Sequence, residues 1–265
     1  MNEQHEHFPN AFQAFLLLVA LFLAEVMFGA LLRDFNSVLG LGQWSLDALE
    51  VVLANGLVLS VVLHRKGLSH RALIHPSSAS PQATFWLLLG PILAITPVMV
   101  LALGVLNTWL TQLLPLSAWE QAAFEHMAEG GFVAVTTVCL LGPVLEELLF
   151  RGIVLRSFLH QYPRGAAITG SALLFGFAHM NIHQFLVAMV IGTLSGWLYD
   201  RTRSLLPCIT LHVAFNSSIT LLGQWAEDLP DETELPLLAW LVALGLGALG
   251  FGLLRRLLMR PAPRG

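Results

Sequence analysis

Two adjacent carboxylates and a guanidinium lie within an apolar run of the sequence, GPVLEELLFR, from Gly142 to Arg151. An ionised side chain costs several kcal/mol in lipid, so residues of this kind face a protein interior and are candidates for function. On an α-helix Glu147 and Arg151 lie four residues apart on one face, whereas Glu146 points about 100° away. We therefore predict that Arg151 neutralises Glu147 as structural support, and that Glu146 is the free carboxylate.

Two later apolar segments carry further polar residues at helical spacing. His179 ends the stretch that begins at Phe175, and His212 and Asn216 are four residues apart, hence on one helical face. Counted at about 1.5 Å per residue from the inner ends of their segments, Glu146 and these three polar residues lie roughly 12 to 21 Å deep. The similar depths predict a polar cluster at mid-membrane, which an intramembrane catalytic site requires.

Peptide hydrolysis is a reaction that such a cluster could perform, because it needs an activated water and donors for the oxyanion. Glu146 could take the proton of a water held by His179, while His212 and Asn216 donate to the oxyanion. Alternatively, Glu146, His179 and His212 could bind Zn²⁺ with a water in the fourth position. We favour the metal-free mechanism because Asn216 is a poor zinc ligand and no H-E-x-x-H motif occurs, but the spacing leaves zinc open.

Other polar residues have a simpler structural interpretation. We expect Glu25, in the first apolar segment, to bond a neighbouring helix, since no second titratable group lies near it in the sequence. The Phe175 ring is predicted to serve packing. Asn181 and His183 follow at segment ends, where they could face water. The spacing of His179 and His183 resembles a zinc motif but lacks its glutamate.

The elements that must position these residues are hydrophobic helices. Of the 265 residues, 56% are hydrophobic and 11% are charged, whereas a soluble domain has about 25% charged residues. We predict an all-α, polytopic membrane bundle of about eight transmembrane helices, forming a single membrane domain over residues 1–265. The apolar segments lie at about 11–32, 46–63, 85–110, 132–156, 166–180, 183–199, 205–223 and 236–254. The fifth and sixth are short for the roughly 20 residues that a span needs.

Small residues in these segments are predicted to serve packing. Cys139 and Cys208 both lie in apolar segments, which indicates buried thiols rather than a disulfide framework. The last segment carries Gly245, Gly247, Gly250 and Gly252. In an apolar membrane helix these glycines are typical of a helix–helix packing face.

The charges along the chain predict its orientation. If the N-terminus is inside, every lysine and arginine except Arg33 falls in an inner loop or at an inner helix end, whereas the acidic residues of 120–129 and 227–234 fall outside. This positive-inside bias predicts that the N-terminus and the C-terminus are both cytoplasmic. In the outer loop, Ser117 to Glu120 forms a capping-box pattern that opens a short surface helix, and Gly130-Gly131 ends it.

The polar residues together resemble the motifs of a known family. Glu146-Glu147-x-x-x-Arg151, Phe175-x-x-x-His179 and His212-x-x-x-Asn216, in this order on successive apolar segments, are similar to the three motifs of the CAAX protease and bacteriocin-processing (CPBP, or Abi) family of intramembrane proteases. The resemblance covers about residues 130–222, and every motif position matches. It implies an all-helical membrane fold, an active site reachable from the cytosolic side and endopeptidase activity, in a family commonly classed as metallopeptidases.

The resemblance implies a protease of the bacterial inner membrane with a membrane-embedded or membrane-associated peptide or protein as substrate, surrounded by the lipid bilayer and without nucleic acid. Eukaryotic members of the family trim prenylated CAAX proteins, and bacterial relatives process peptides, cleave membrane proteins or protect against bacteriocins. Two alternatives remain open. A proton-coupled transporter could bury the same residues, although paired halves with matching interruptions are absent from the sequence. A non-catalytic bacteriocin-immunity or scaffold protein would keep the fold without turnover.

Overall fold

The computed structural model describes residues 8–224 and 235–259, and within these ranges the chain is helical. The helix that carries the paired glutamates contains two π-helical segments, π1 (Thr137–Leu141) and π2 (Phe150–Leu155). The α-helices are α1 (Ala11–Asp34), α2 (Asn36–Leu39), α3 (Gln43–Lys66), α4 (His70–Ile74), α5 (Pro81–Leu113), α6 (Ala118–Glu129), α7 (Gly131–Thr136), α8 (Gly142–Leu149), α9 (Arg156–Gln161), α10 (Arg164–Ala178), α11 (Ile182–Thr202), α12 (Leu206–Gln224) and α13 (Leu237–Leu258).

Seven helices in the described part of the chain are long and apolar enough to cross a membrane. They are α1, α3, α5, the continuous helix 131–161, α11, α12 and α13. The one predicted segment missing from this set is the fifth, which corresponds to α10; this helix has 15 residues and is shorter than the roughly 20 residues of a full span. The predicted sixth segment is longer than expected, because α11 has 21 residues. The prediction of an all-α, multi-pass membrane bundle is confirmed.

The π2 segment lies in the main hydrophobic core of the bundle. Fully buried apolar side chains of this core include Ile153 and Leu155 of π2, Leu198 of α11 and Leu211 of α12. Lipid is as apolar as these side chains, so close packing rather than burial from water holds such helices together. Both cysteines are buried and free, as predicted.

Only two of the four glycines of α13 lie in the predicted packing face. A Cβ atom on Gly247 would clash with Val98 of α5, and one on Gly250 would lie 2.6 Å from the backbone oxygen of Pro91. Gly245 and Gly252 face open space. The close contact between α5 and α13 therefore depends on two of the four glycines.

The predicted outer helix is present as α6. Ser117 Oγ accepts a hydrogen bond from the Glu120 backbone N–H at 3.3 Å, and the Glu120 carboxylate accepts one from the Ser117 N–H at 2.8 Å, which completes the capping box. Gly130 follows the helix, and Gly131 has a φ of 58°. The prediction for both ends of this helix is confirmed.

The far end of α6 is tied to α3. The His126 ring stacks on Trp44 at 4.5 Å and lies 3.5 Å from Asp47. Arg33, the basic residue that the positive-inside pattern leaves outside, forms ion pairs with Asp47 at 3.3 Å and Glu50 at 3.1 Å. The acidic stretch 227–234 and the C-terminal arginines at 260 and 264 lie outside the described residues, so the orientation of the chain stays a prediction.

Candidate active site

The first π-helical segment explains why Asn216 lies where it does. The Gly142 N–H donates to the carbonyl of Thr137, and Pro143 has no N–H to donate. The carbonyl of Val138 is therefore left without its partner in the next turn. Asn216 Nδ2 donates to this carbonyl at 3.0 Å and so ties α12 to the turn that precedes the glutamates.

The second π-helical segment is held in a similar way. Ser171 on α10 donates its hydroxyl to the carbonyl of Phe150, the first residue of π2, at 3.1 Å in a buried environment. π-Helical turns occur frequently at functional sites because they redirect the side chains around them. A regular α-helix was the prediction here. Pro143 was the available signal for the first irregular turn, and no comparable residue marks the second.

Glu147 is shared by Arg151 and His212. Its Oε1 atom lies 3.0 Å from Arg151 Nη1, and both side chains are almost fully buried, at 0% and 1% exposure. The same oxygen lies 3.1 Å from His212 Nδ1. The contact with Arg151 follows the predicted spacing. The contact with His212 was not predicted, since it joins residues 65 positions apart on different helices.

Glu146 is the freer of the two carboxylates. Its side chain is 34% exposed, and its Oε2 lies 3.6 Å from His212 Nε2, which is longer than a hydrogen bond. The imidazole of His212 therefore lies between two adjacent carboxylates, with Nδ1 towards Glu147 and Nε2 towards Glu146. These two carboxylates together define the position of the His212 ring.

Phe175 lies at the centre of the polar cluster. Its buried ring meets the rings of His179 and His212 edge to face at 5.1 and 5.6 Å, and the Arg151 guanidinium lies 4.4 Å above it. The His179 Nδ1 atom is 3.0 Å from the backbone oxygen of Phe175. The ring thus orients both imidazoles and contacts the cation, which is more than the packing role that was predicted.

His183 does not face water, contrary to expectation, and Asn181 is half-buried. His183 is buried, with its Nδ1 atom 3.2 Å from Asn107 Oδ1. Asn181 caps α11 through its side-chain oxygen and donates Nδ2 to Glu120 Oε1 at 2.6 Å. Hydrogen bonds from the Ser117 side chain and backbone hold the pKa of the Glu120 carboxyl below its usual value. The turn that follows His179 is therefore fastened to α6.

Glu146 lines a cavity between α1, α3 and α8. The cavity has a volume of about 120 Å³ and also contains Glu25 and Asn55. The expected bond from Glu25 to a neighbouring helix is absent: across residues 8–224 and 235–259 its carboxylate makes no hydrogen bond or ion pair. The remaining lining is apolar apart from Gly142, and consists of Leu18, Leu21, Phe22, Val51, Leu145, Phe150 and Ala178.

The three residues considered for zinc do not fit a metal site in this arrangement. In the described part of the chain, no three His, Cys, Asp or Glu side chains are grouped so that they could hold a metal ion. Glu147 engages His212 Nδ1 at 3.1 Å, and Nε2 lies 3.6 Å from Glu146 Oε2. This pair could face one ion, but His179 is not grouped with it. A zinc site needs Glu146, His179 and His212 to converge on one point, with ligand distances of about 2.0–2.2 Å.

The fold and the cluster define a polytopic membrane protein with a carboxylate–imidazole cluster next to a cavity. Comparisons with known proteins match part of this chain. Residues 128–218 match the family described as type II CAAX prenyl endopeptidase Rce1-like. The chain is 26% identical over 83 residues to "Putative membrane peptidase YdiL" of Bacillus subtilis (strain 168), an alignment that covers 31% of this chain and 34% of that protein. The chain thus matches about a third of this curated relative. No solved structure matches the chain.

The family match falls on the segment that carries the three motifs. The family match, over about a third of the chain, supports the resemblance to the CAAX protease and bacteriocin-processing family that the motifs predict.

Proposed function

We propose that this chain is an endopeptidase that hydrolyses peptide bonds of a membrane-embedded or membrane-associated peptide or protein. The observation that carries the proposal is the position of His212, whose imidazole lies between the fully buried Glu147 and the cavity-facing Glu146. A buried acid that orients an imidazole, next to a second acid that water can reach, is an arrangement suited to general acid–base catalysis.

Glu146 is the proposed general base. It reaches the cavity, and within the described residues no hydrogen bond engages its carboxylate. Glu146 takes one proton of a water molecule, and the water oxygen forms a bond to the carbonyl carbon of the substrate. The carbonyl π electrons move onto oxygen to form the oxyanion. When they return, the C–N bond breaks, the proton held by Glu146 passes to the leaving amine nitrogen, and the second water proton stays on the new carboxyl group.

His212 is the proposed oxyanion donor. In its imidazolium form Nδ1–H donates to Glu147 and Nε2–H remains for the oxyanion that develops beside Glu146. A protonated His212 and Arg151 together balance the charges of the two glutamates. Glu147 and Arg151 are in this scheme positioning residues, which hold the ring without contacting the substrate.

His179 and Asn216 are proposed to complete the site. If His179 donates Nδ1–H to the Phe175 carbonyl, its Nε2 is an acceptor that can hold the attacking water or carry the proton to the leaving group. One amide hydrogen of Asn216 is engaged by Val138. The second hydrogen of the same amide is the one that could donate to the oxyanion.

The proposed location is a bacterial inner membrane with both termini in the cytoplasm. The positive-inside pattern supports the orientation, and the Bacillus subtilis relative supports the bacterial setting. In this orientation the substrate approaches the site from the cytosolic side.

The proposal is tested with purified protein in liposomes and a synthetic library of membrane-inserting peptides. We expect the wild-type protein to cleave members of the library, and Glu146→Gln to abolish cleavage while the protein stays folded. Glu125→Gln, which changes an exposed acid of α6, is the matched control and should cleave at the wild-type rate. Equal cleavage by Glu146→Gln, or no cleavage by the wild type, contradicts the proposal. The second result would favour the transporter or immunity alternatives.

A further inference from the structure

The cavity beside Glu146 has the size of one side chain. Its volume is about 120 Å³, and a cavity of about 150 Å³ in another protein binds a benzene molecule. A peptide segment does not fit in this space, but the end of a single substrate side chain does. Because Glu146 is part of the lining, an occupant would lie next to the proposed reaction centre.

The polar groups of the cavity are mainly hydrogen-bond acceptors. Glu25 and Glu146 contribute carboxylates from α1 and α8. Asn55 is buried and donates one Nδ2 hydrogen to the Val51 carbonyl of its own helix at 3.0 Å, which leaves its carbonyl oxygen as an acceptor and its second amide hydrogen as a donor. No lysine, arginine or histidine is among the lining residues. The lining therefore offers acceptors and negative charge to an occupant that supplies donors and positive charge.

The electrostatics of Glu25 favour the same occupant. The ionisable groups that act on it, Glu50 and Glu146, are both acidic, and Glu50 is already paired with Arg33 at 3.1 Å. Carboxylates that share a low-dielectric site repel each other, so a cation between them is stabilised. The apolar remainder of the lining suits the methylene stem of a lysine or arginine side chain.

We propose that this cavity is a specificity pocket that takes one basic side chain of the substrate, lysine or arginine, and that Glu25 recognises its charge. The proposal rests on the proposed endopeptidase function and adds a substrate class to it. Glu25 lies outside the segment 128–218 that matches the family, so this preference would belong to the chain rather than to the shared motifs.

The first test uses the peptide library with one flanking position set to lysine or to norleucine, its uncharged analogue. We expect the wild-type protein to prefer lysine at one fixed distance from the cleaved bond. A hydrogen bond to a charged group contributes about 1.5–3 kcal/mol, so Glu25→Gln should reduce the lysine-to-norleucine ratio of kcat/KM roughly 10- to 100-fold. Glu50→Gln is the matched control, because Glu50 acts on Glu25 but does not line the cavity, and it should keep the preference.

The second test does not depend on turnover. Hexylguanidinium should raise the melting temperature of the detergent-solubilised wild-type protein but not of Glu25→Gln, and uncharged hexylurea should raise neither. Cleavage without a preference for lysine, or an unchanged preference in Glu25→Gln, contradicts the proposed specificity pocket but not the proposed endopeptidase activity. Stabilisation by hexylguanidinium that needs Glu25, in a protein that cleaves nothing, supports the pocket and overturns the peptidase. Equal stabilisation of wild type and Glu25→Gln overturns the pocket.

Discussion

Glu146 and Glu147 are neighbours in the chain but lie in different environments, so the same isosteric substitution has opposite expected effects at the two positions. Glu147 is fully buried, and its Oε1 lies 3.0 Å from Arg151 Nη1 and 3.1 Å from His212 Nδ1. Glu146 is 34% exposed, and its carboxylate lies 3.6 Å from His212 Nε2. Glu147→Gln removes a negative charge that contacts the buried side chains of Arg151 and His212. Glu146→Gln removes a negative charge that faces the cavity.

The expected cost at Glu147 comes from the cation that remains. Neutralising one partner of a buried ion pair costs about 3–5 kcal/mol, because the other charge stays uncompensated. The contact of Arg151 with the Phe175 ring exists before and after the substitution and offers no new compensation. A glutamine oxygen can still accept a hydrogen bond, which favours the lower end of the range. We expect Glu147→Gln to lower the free energy of unfolding by about 3 kcal/mol, and Glu146→Gln to lower it by less than about 1 kcal/mol.

The assay is denaturant unfolding of the detergent-solubilised protein, followed by tryptophan fluorescence, together with turnover of the peptide library well below the melting temperature. Glu146→Gln should be stable and inactive, and Glu147→Gln should be unstable. The double variant Glu147→Gln/Arg151→Met removes the uncompensated charge and should regain part of the lost stability. The reasoning is refuted if Glu146→Gln is the unstable variant and Glu147→Gln the stable, inactive one.

Three further predictions concern Asn216, Asn181 and the orientation of the chain. Asn216→Ala leaves the Val138 carbonyl without its donor and should lower the free energy of unfolding by about 1–3 kcal/mol; an unchanged denaturation midpoint would mean that water replaces the amide. Asn181→Ala removes the cap of α11 and the hydrogen bond to Glu120. It should lower the free energy of unfolding by about 0.5–2 kcal/mol and speed hydrogen exchange at residues 180–184; unchanged exchange there would show that the cap does not hold this turn. Reporter fusions at Gly67 and Pro115 should report opposite sides of the membrane, and signals from the same side would contradict the orientation.

Composition and local spacing predicted the features that depend on neighbours in the sequence. Apolar runs of span length predicted the membrane helices, because every backbone polar group in lipid must be satisfied within a helix. The i, i+4 spacing predicted the contact between Glu147 and Arg151, and the Ser117–Glu120 pattern predicted the start of α6.

Features that depend on how distant helices pack together could not be predicted from the sequence. The contact of His212 with Glu147 joins two helices at a spacing that no periodic pattern encodes. The role of Asn216 needed two facts together, the missing N–H of Pro143 and the position of α12 beside Val138. Glu25 was assigned to an interhelical bond because the sequence places no titratable group near it, yet α1 packs so that it shares a cavity with Glu146.

The most direct test of the account measures peptide cleavage and zinc content on the same liposome preparation after extensive chelation. If Glu146 activates water without a metal, wild-type protein with far less than one equivalent of zinc should cleave at an unchanged rate, and Glu146→Gln should not cleave. Stoichiometric zinc that tracks activity, with cleavage lost on chelation and restored by added zinc, would contradict the metal-free mechanism. Cleavage by Glu146→Gln at the wild-type rate would contradict the assignment of the base.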